Sequence, residues 1–432
     1  MTKLLSLLVG ISLGATILGI VLGLVGSLLA VGFLGLTLIF RRDWVPTIYN
    51  VRSLTVRKVT TGLTALGLAL VVFVFTTVLM LGAGIDRTMA STGLSGNVKV
   101  IRKGAQTEIQ SGIQPEHVRL LSAAAEVATA KDGQPLASPE LTVLIFAQKA
   151  DAKSDEEGAN VTVRGVGPHA LELHPEVGVD GRLFKPGTSE ILLGRGLVGK
   201  FKGFELGGQA HFARRDWMVV GIIDGHGSAF DSEVWGDVEQ FEDAFNRRPS
   251  MSSLTLKLKD KSQFAAFKAH LEDPQLNSLE AKPEIEYWED QSKTFSGFIK
   301  ALGLFVAVIF AFGAALGAMI TMYAQVAART REIGVLRALG FRRRSVLVSF
   351  VAESVVLGLA SGAVGIACAS FMRYASFSTM NFQSFSETNF QFYLTPGIAL
   401  AGFIFSAVLG YAGGLLPAVR AARMPIVQAT RG

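Results

Sequence analysis

Cysteine and charge are both scarce in this sequence. Its 432 residues include a single cysteine, Cys368, so neither an intramolecular disulfide nor a metal site built from several cysteines can form. Charged residues make up 18% of the chain and hydrophobic residues 50%, which is too apolar for a typical soluble protein. The composition therefore predicts a membrane protein.

Motifs for catalysis and cofactor binding are also missing. The sequence contains no G-x-x-x-x-G-K-[ST] segment, so it offers no P-loop for ATP. Its six histidines show no metal-binding spacing such as H-E-x-x-H. We therefore predict no catalytic residue, no metal site and no cofactor in this chain.

Charge is divided unequally along the chain. The polar block at 86–295 holds 31 acidic and 24 basic residues, whereas the remainder holds 4 acidic and 17 basic ones. Basic residues in short loops favour the cytoplasmic side of a membrane. The high isoelectric point thus indicates basic cytoplasmic flanks around an acidic outer domain, and it does not indicate a nucleic-acid partner.

Long uncharged segments flank the polar block. Leu4–Phe40 has 37 residues without a charge, and one helix of that length would measure about 56 Å against a hydrocarbon core of roughly 30 Å. We expect two short spans with a turn near Gly23–Ser27; one long tilted helix is the alternative. The basic stretch at 44–61 is typical of an interfacial helix. Four further spans are predicted at 62–85, 296–327, 346–374 and 396–419.

The polar block has the sequence pattern of an independently folded domain. Short β-branched runs such as Val98–Arg102 and Trp217–Ile223 predict strands, whereas Pro115–Ala125 predicts a helix. Strands dominate its centre, and helices cluster nearer its two ends. We therefore predict an α+β domain with a β-rich insert.

Loop charges give one consistent topology for these segments. The loop at 375–395 contains no lysine or arginine and is predicted to lie outside, whereas the arginine-bearing tail at 420–432 is predicted to lie inside. The large domain then lies outside, and the segment 328–345 lies in the cytoplasm.

The segment 328–345 is basic and is flanked by two spans. Six arginines accompany one acid, Glu332, and Ile333, Leu336 and Leu339 recur at helical spacing before Gly340. A short amphipathic helix held in the cytoplasm is suited to docking a partner. The alternative is a solvated basic loop that only fixes topology.

Glu353 is a carboxylate inside a predicted span. A charge at that depth is costly unless it faces protein or water, so it indicates a contact within the helix bundle. We expect a packing role in which an arginine or hydroxyl of a neighbouring helix partners it, in preference to a proton relay.

Three stretches together resemble the FtsX/MacB-like ABC transporter permeases. Residues 319–340 end in the pattern TREIG-x-x-x-A-x-G, from Thr330 to Gly340. Residues 350–365, FVAESVVLGLASGAVG, resemble the span that follows it in that family. The ending at 417–425 resembles the family's P-A-x-x-A-A-x-x-x-P close, although its last proline, Pro425, comes one residue early.

The resemblance implies a fold with four core spans and a large α+β extracytoplasmic domain between the first and second. The segment 1–43, with its extra hydrophobic stretch, departs from that pattern. The resemblance also implies a bacterial inner-membrane protein that acts as a homodimer, or as a heterodimer with a paralogue. A separate ABC ATPase subunit would bind the ATP and magnesium, and a periplasmic or outer-membrane partner would join some assemblies.

In such permeases the segment 328–345 is a coupling helix seated on the ATPase. The outer domain then moves to extract lipids or lipoproteins, to drive efflux, or to regulate cell-wall enzymes. The residues of this chain that match the coupling helix are Arg329, Arg331, Glu332, Ile333, Gly334, Leu336, Arg337, Leu339 and Gly340.

Two rival functions remain open from the sequence. A signalling or scaffold membrane protein would sense a ligand with its outer domain and recruit a partner without ATP turnover. A membrane enzyme is the more distant rival because no catalytic residues present themselves. Co-purification of an ATPase distinguishes the transporter from the first rival.

Overall fold

In the computed structural model, residues 58–154, 157–380 and 387–425 are described, and they fall into two compact units. The outer unit comprises Gly82–Phe298 and Ser376–Gln391. The span unit comprises the described residues of the rest of the chain. The predicted segment 1–43 and nearly all of the interfacial helix at 44–61 lie outside the described residues.

Four long helices have the length and apolar composition to cross a membrane. The helix Glu284–Ala328 (α6) has 45 residues and is about 68 Å long at 1.5 Å per residue, so it is longer than a hydrocarbon core of roughly 30 Å. The helix begins at Glu284, before the predicted span at 296–327, and its first turns belong to the outer unit. The described helices are α1 Lys58–Ala90, α2 Pro115–Ser122, α3 Ala170–Leu173, α4 Val238–Ala244, α5 Phe264–Ala269, α6 Glu284–Ala328, α7 Thr330–Ala338, α8 Arg343–Ser370 and α9 Pro396–Arg423.

Small residues bring the helices of the span unit close together. A Cβ added at Gly358 of α8 would lie 3.0 Å from Cα of Gly410 on α9. A Cβ at Gly365 of α8 would lie 2.5 Å from the carbonyl oxygen of Ala69 on α1. Such contacts are typical of membrane helices, whose association depends on close packing because lipid is as apolar as the side chains.

The outer unit is built on a mixed ten-stranded sheet, as the predicted α+β class requires. The strands are β1 Asn97–Arg102, β2 Ala137–Gln148, β3 Gly158–Val166, β4 Gly178–Gly181, β5 Glu190–Gly194, β6 Gln209–Phe212, β7 Arg215–Asp224, β8 Glu233–Asp237, β9 Ser253–Lys257 and β10 Leu279–Pro283. Their order in the sheet is β10-β1-β9-β2-β3-β8-β5-β7-β4, with β6 paired to β7. Most pairs are antiparallel, but β3–β8 and β5–β7 are parallel.

Two apolar cores stabilise this sheet. One gathers Trp217, Phe241 and residues of β2, β3 and β5, and the other places Phe267 of α5 against β1 and β9. All three aromatic side chains are essentially inaccessible to solvent. The outer unit thus has its own hydrophobic core, as a chain segment of this length allows.

The loop at 375–395 is more ordered than the sequence interpretation implied. Ser376–Met380 (β11) and Glu387–Gln391 (β12) pair as antiparallel strands, and the hairpin belongs to the outer unit. Lys200 Nζ donates a hydrogen bond to Ser378 Oγ at 2.9 Å, and the backbone N–H of Asn389 donates one to Ser232 Oγ at 3.0 Å. These contacts, together with the buried Phe390, supply the packing that a lone hairpin lacks.

Candidate docking helix and a buried ionic cluster

Helix α7 lies in the predicted cytoplasmic segment and is fixed to the ends of three long helices. Ile333 is 1% exposed and packs with Met322 and Val326 of α6, Val346 and Phe350 of α8, and Ala418 and Ala421 of α9. Gly340 has φ +98°, a conformation that glycine adopts without strain, and it ends the turn after α7. The helix is therefore firmly anchored through its buried side.

The opposite side of α7 is exposed and partly apolar. Val335 is 49% exposed and Leu339 72%, while Arg331 and Glu332 are also exposed. Residues 332, 335 and 339 share one face of a helix because they are three and four positions apart. The sequence places Ile333, Leu336 and Leu339 at helical spacing, and in the structure Ile333 is buried, Leu336 is half-buried and Leu339 is exposed.

Arg329 has a different environment from the other predicted docking residues. Its side chain is 10% exposed, and Nη1 lies 3.1 Å from Oε2 of Glu353, whose side chain is 1% exposed. Arg329 therefore packs inside the span unit and is not on the exposed face of α7. Glu353 has the arginine partner that a buried carboxylate requires. Leu336 and Arg337 are half-buried.

A buried ionic cluster in the outer unit was missed by sequence reasoning. Arg164 on β3 uses all five of its N–H groups on the carboxylates of Glu108, Glu140 and Glu233. Lys99 on β1 donates to Glu108 at 2.9 Å and to Glu140 at 3.0 Å. All five side chains are at most 7% exposed.

The cluster is held together by mutual charge compensation. Burial would raise the pKa of Glu108, but Arg164 and Lys99 hold that pKa well below its usual range. Removing one partner of such a network leaves an uncompensated buried charge, which is strongly destabilising. The sequence signal was a charged residue inside each of two strand-like runs, at Lys99 and Arg164.

The first turns of α6 cover this cluster. Lys99 Nζ lies 5.8 Å from the ring centroid of Trp288, and the Arg164 guanidinium carbon lies at the same distance. Trp288 thus offers its ring to two cations in a buried site, where cation–π attraction is strongest. Because α6 continues towards its membrane-spanning part, a charged face of the sheet supports the start of that helix.

Glu284 fixes the start of α6 to the chain that follows α1. Its Oε2 accepts hydrogen bonds from the amide of Leu94 at 3.1 Å and from Nδ2 of Asn97 at 3.0 Å. A Cβ at Gly93 would lie 2.7 Å from Cα of Ile285, so the two segments are in backbone contact. The outer end of α1 and the beginning of α6 are therefore joined within the outer unit.

His174 completes this junction. Its Nε2 lies 3.3 Å from Glu284 Oε1, and its Nδ1 lies 3.1 Å from Glu176 Oε1. Burial lowers the pKa of His174, but the two carboxylates outweigh burial and raise the pKa to about 9. Glu284 Oε1 thus faces an imidazolium at neutral pH, which compensates its buried charge.

No metal centre is formed in the part of the chain that the structure describes, where no group of three or more His, Cys, Asp or Glu side chains is placed to hold an ion. The arrangement instead supports two physical roles. Helix α7 presents an exposed face from a fixed base, and within the outer unit the ionic cluster packs against the first turns of α6.

Comparison with protein families assigns both halves of the chain. The MacB-like periplasmic core domain family matches residues 61–273, and the FtsX-like permease C-terminal family matches residues 304–426. The first match covers nearly all of α1 and the outer unit as far as residue 273, and the second runs from within α6 through α9.

Several curated proteins are similar to this chain in sequence. The macrolide export ATP-binding/permease protein MacB of Bdellovibrio bacteriovorus is 23% identical over 409 residues, which are 88% of this chain and 60% of that protein. The MacB of Escherichia coli is 32% identical over 192 residues, which are 42% of this chain and 28% of that protein. The chain thus spans less than two thirds of the length of these relatives.

Among solved structures, the periplasmic region of MacB from Actinobacillus actinomycetemcomitans aligns with 46% of this chain and 94% of its own, at 13% identity and a TM-score of 0.34.

Proposed function

The chain belongs to the FtsX/MacB-like permeases, and from this premise we propose that it is the permease subunit of an ABC transporter. In this proposal a separate ATPase subunit binds and hydrolyses ATP, and this 432-residue sequence contains no P-loop motif. Two permease copies, identical or paralogous, assemble with the ATPase in a bacterial inner membrane. Hydrolysis drives movement of the outer unit for lipid, lipoprotein or efflux-type export.

The observation that carries this proposal is the exposed face of α7. Val335 and Leu339 present apolar side chains next to Arg331 and Glu332, whereas Ile333 fixes the helix to α6, α8 and α9. An exposed apolar surface rimmed by charge is typical of a protein interface. A force applied to this face would reach all three helices, since the packed Ile333 resists displacement.

Substitution of the exposed face tests the proposal. Val335→Asp combined with Leu339→Asp places two charges in the expected interface, and we expect at least a tenfold loss of ATPase retained during purification, because burying unpaired carboxylates is costly. The measurement is ATPase stoichiometry after affinity purification of the permease from native membranes.

The matched control makes the same change on the outer unit. Leu183 and Leu206 are 50% and 53% exposed, so Leu183→Asp with Leu206→Asp alters similarly exposed residues far along the chain from α7. We expect full ATPase retention in this control. Equal retention in the α7 variant and the control would refute docking through α7.

A further inference from the structure

A small cavity lies between the first turns of α6 and the charged face of the sheet, within the outer unit. Its volume is about 40 Å³, and its lining includes Thr107, Thr142, Arg164 and Trp288. A bound water molecule needs at least roughly 10–15 Å³ of such space. The cavity therefore has room for about three waters and excludes any cargo-sized ligand.

Three polar atoms of the cavity lining have no hydrogen-bond partner among the described residues. They are Oγ1 of Thr107, Oγ1 of Thr142 and Nε1 of Trp288. Their residues are only 3%, 4% and 4% exposed, so bulk solvent does not reach them freely. Folded proteins rarely leave buried donors and acceptors unpaired, and bound water commonly satisfies them.

The chemistry of the lining identifies the ligand. An anion finds no free guanidinium donor, because Arg164 already uses its five N–H groups on carboxylates. A cation would face the N–H donor of Trp288, which requires an acceptor. Water donates and accepts hydrogen bonds, so it suits both the hydroxyls and the indole.

We propose that this cavity binds a cluster of about three ordered water molecules, which hydrogen-bond Thr107, Thr142 and Trp288 beneath α6. The start of α6 then rests on a hydrated ionic surface rather than on a dry apolar one. For the significance of this site we rely on the proposed function: if the outer unit moves, exchangeable waters let α6 shift without leaving these groups unpaired.

Removal of the Thr142 hydroxyl tests the proposal, because it should lower the Tm if water is bound and leave the Tm unchanged or raise it if the cavity is dry. Thr142→Val replaces the hydroxyl by a methyl group of nearly the same size in the full-length chain in detergent. If waters are bound, the variant loses a hydrogen bond, and we expect the Tm of the outer unit to fall by about 2–4 °C. The measurement is thermal unfolding followed by tryptophan fluorescence, which reports the buried Trp217 and Trp235.

Thr255→Val is the matched control. Thr255 lies on β9, is 0% exposed and has an Oγ1 with no partner among the described residues, but it is not among the residues that line the cavity. Replacing its hydroxyl removes an unpaired polar atom, so the Tm should be unchanged or higher. A Thr142→Val variant that behaves like this control would show a dry cavity and overturn the proposal.

A double-mutant cycle tests whether the two threonines share the cluster. The hydroxyls of Thr107 and Thr142 have no hydrogen-bond partner among the described residues, so a water that bonds both would couple them. We expect the double Thr107→Val, Thr142→Val variant to lose less Tm than the sum of the single losses. Strictly additive losses would contradict a shared water cluster. Neither measurement involves ATP, so these results are independent of whether the chain is a transporter subunit.

Discussion

At the residue scale, the pair formed by Arg329 and Glu353 shows how context decides the role of a charge. Glu353 was identifiable from the sequence because it interrupts an apolar run. Arg329 was not identifiable as its partner, because the sequence does not distinguish a buried arginine from the exposed arginines near it in the same segment. The structure brings the two within 3.1 Å, 24 positions apart in the chain.

Breaking this ion pair should destabilise the span unit. Arg329→Gln leaves the carboxylate of Glu353 without its arginine, and loss of one partner of a buried pair costs about 3–5 kcal/mol. We expect a lower yield of monodisperse protein in mild detergent and a lower Tm. The exposed Arg331→Gln is the control and should stay within about 0.5 kcal/mol of the unsubstituted chain.

The double variant Arg329→Gln, Glu353→Gln should recover part of the loss, since no charge then remains buried. Equal stability of the Arg329→Gln and Arg331→Gln variants would contradict the assigned pairing.

His174 gives the outer unit a pH dependence at alkaline pH. Its folded pKa is raised to about 9, so its contribution to stability is fully present below the unfolded pKa of about 6.5 and is lost as pH rises through 9. The pKa of Lys99 and that of Tyr287 are both raised, so neither residue titrates in that interval. We expect the Tm of the outer unit to fall between pH 7 and pH 10.

His174→Gln removes this titration and is the test of its origin. The variant should have a lower Tm at pH 7 and a flatter profile between pH 7 and pH 10. A profile as steep as that of the unsubstituted chain would assign the pH dependence to another group. Full-length protein in detergent, followed by tryptophan fluorescence, gives both profiles.

At the element scale, the long helices were predictable because a membrane span needs about 20 apolar residues. The hairpin of β11 and β12 was not predicted, although Phe390 and Phe392 alternate with polar residues as in a strand. Its stability depends on tertiary contacts such as that of Lys200 with Ser378, which local sequence does not encode. The buried ionic cluster was missed for the same reason, since four of its members lie on separate strands and Glu108 lies in a short helical turn.

The contact between α8 and α9 gives a prediction for this scale. A Cβ at Gly410 would lie 2.5 Å from the carbonyl oxygen of Ser354, so Gly410→Ala must push the helices apart. We expect overpacking to cost about 1–3 kcal/mol and to lower the Tm of the span unit. Gly313→Ala on α6 is the control, because nothing lies within 4 Å of its added Cβ. Similar Tm values for both variants would contradict close packing at Gly410.

At the scale of the whole molecule, charge segregation predicted more than any motif did. The acidic block at 86–295 corresponds closely to the larger part of the outer unit, Gly82–Phe298, because a domain in solvent can carry charges that spans cannot. The sequence did not predict a cargo, because it contains no motif that identifies a class of ligand. The ATPase partner rests on family membership and on the exposed face of α7.

The most direct test of the proposed function is affinity purification of the chain from its native membranes in mild detergent, with ATP hydrolysis assayed on the eluate. We predict a stoichiometric ATP-binding partner with vanadate-sensitive turnover, because the proposed function requires ATP hydrolysis and this 432-residue sequence contains no P-loop motif. A pure chain without such a partner and without turnover would contradict the transporter assignment and favour a sensor or scaffold.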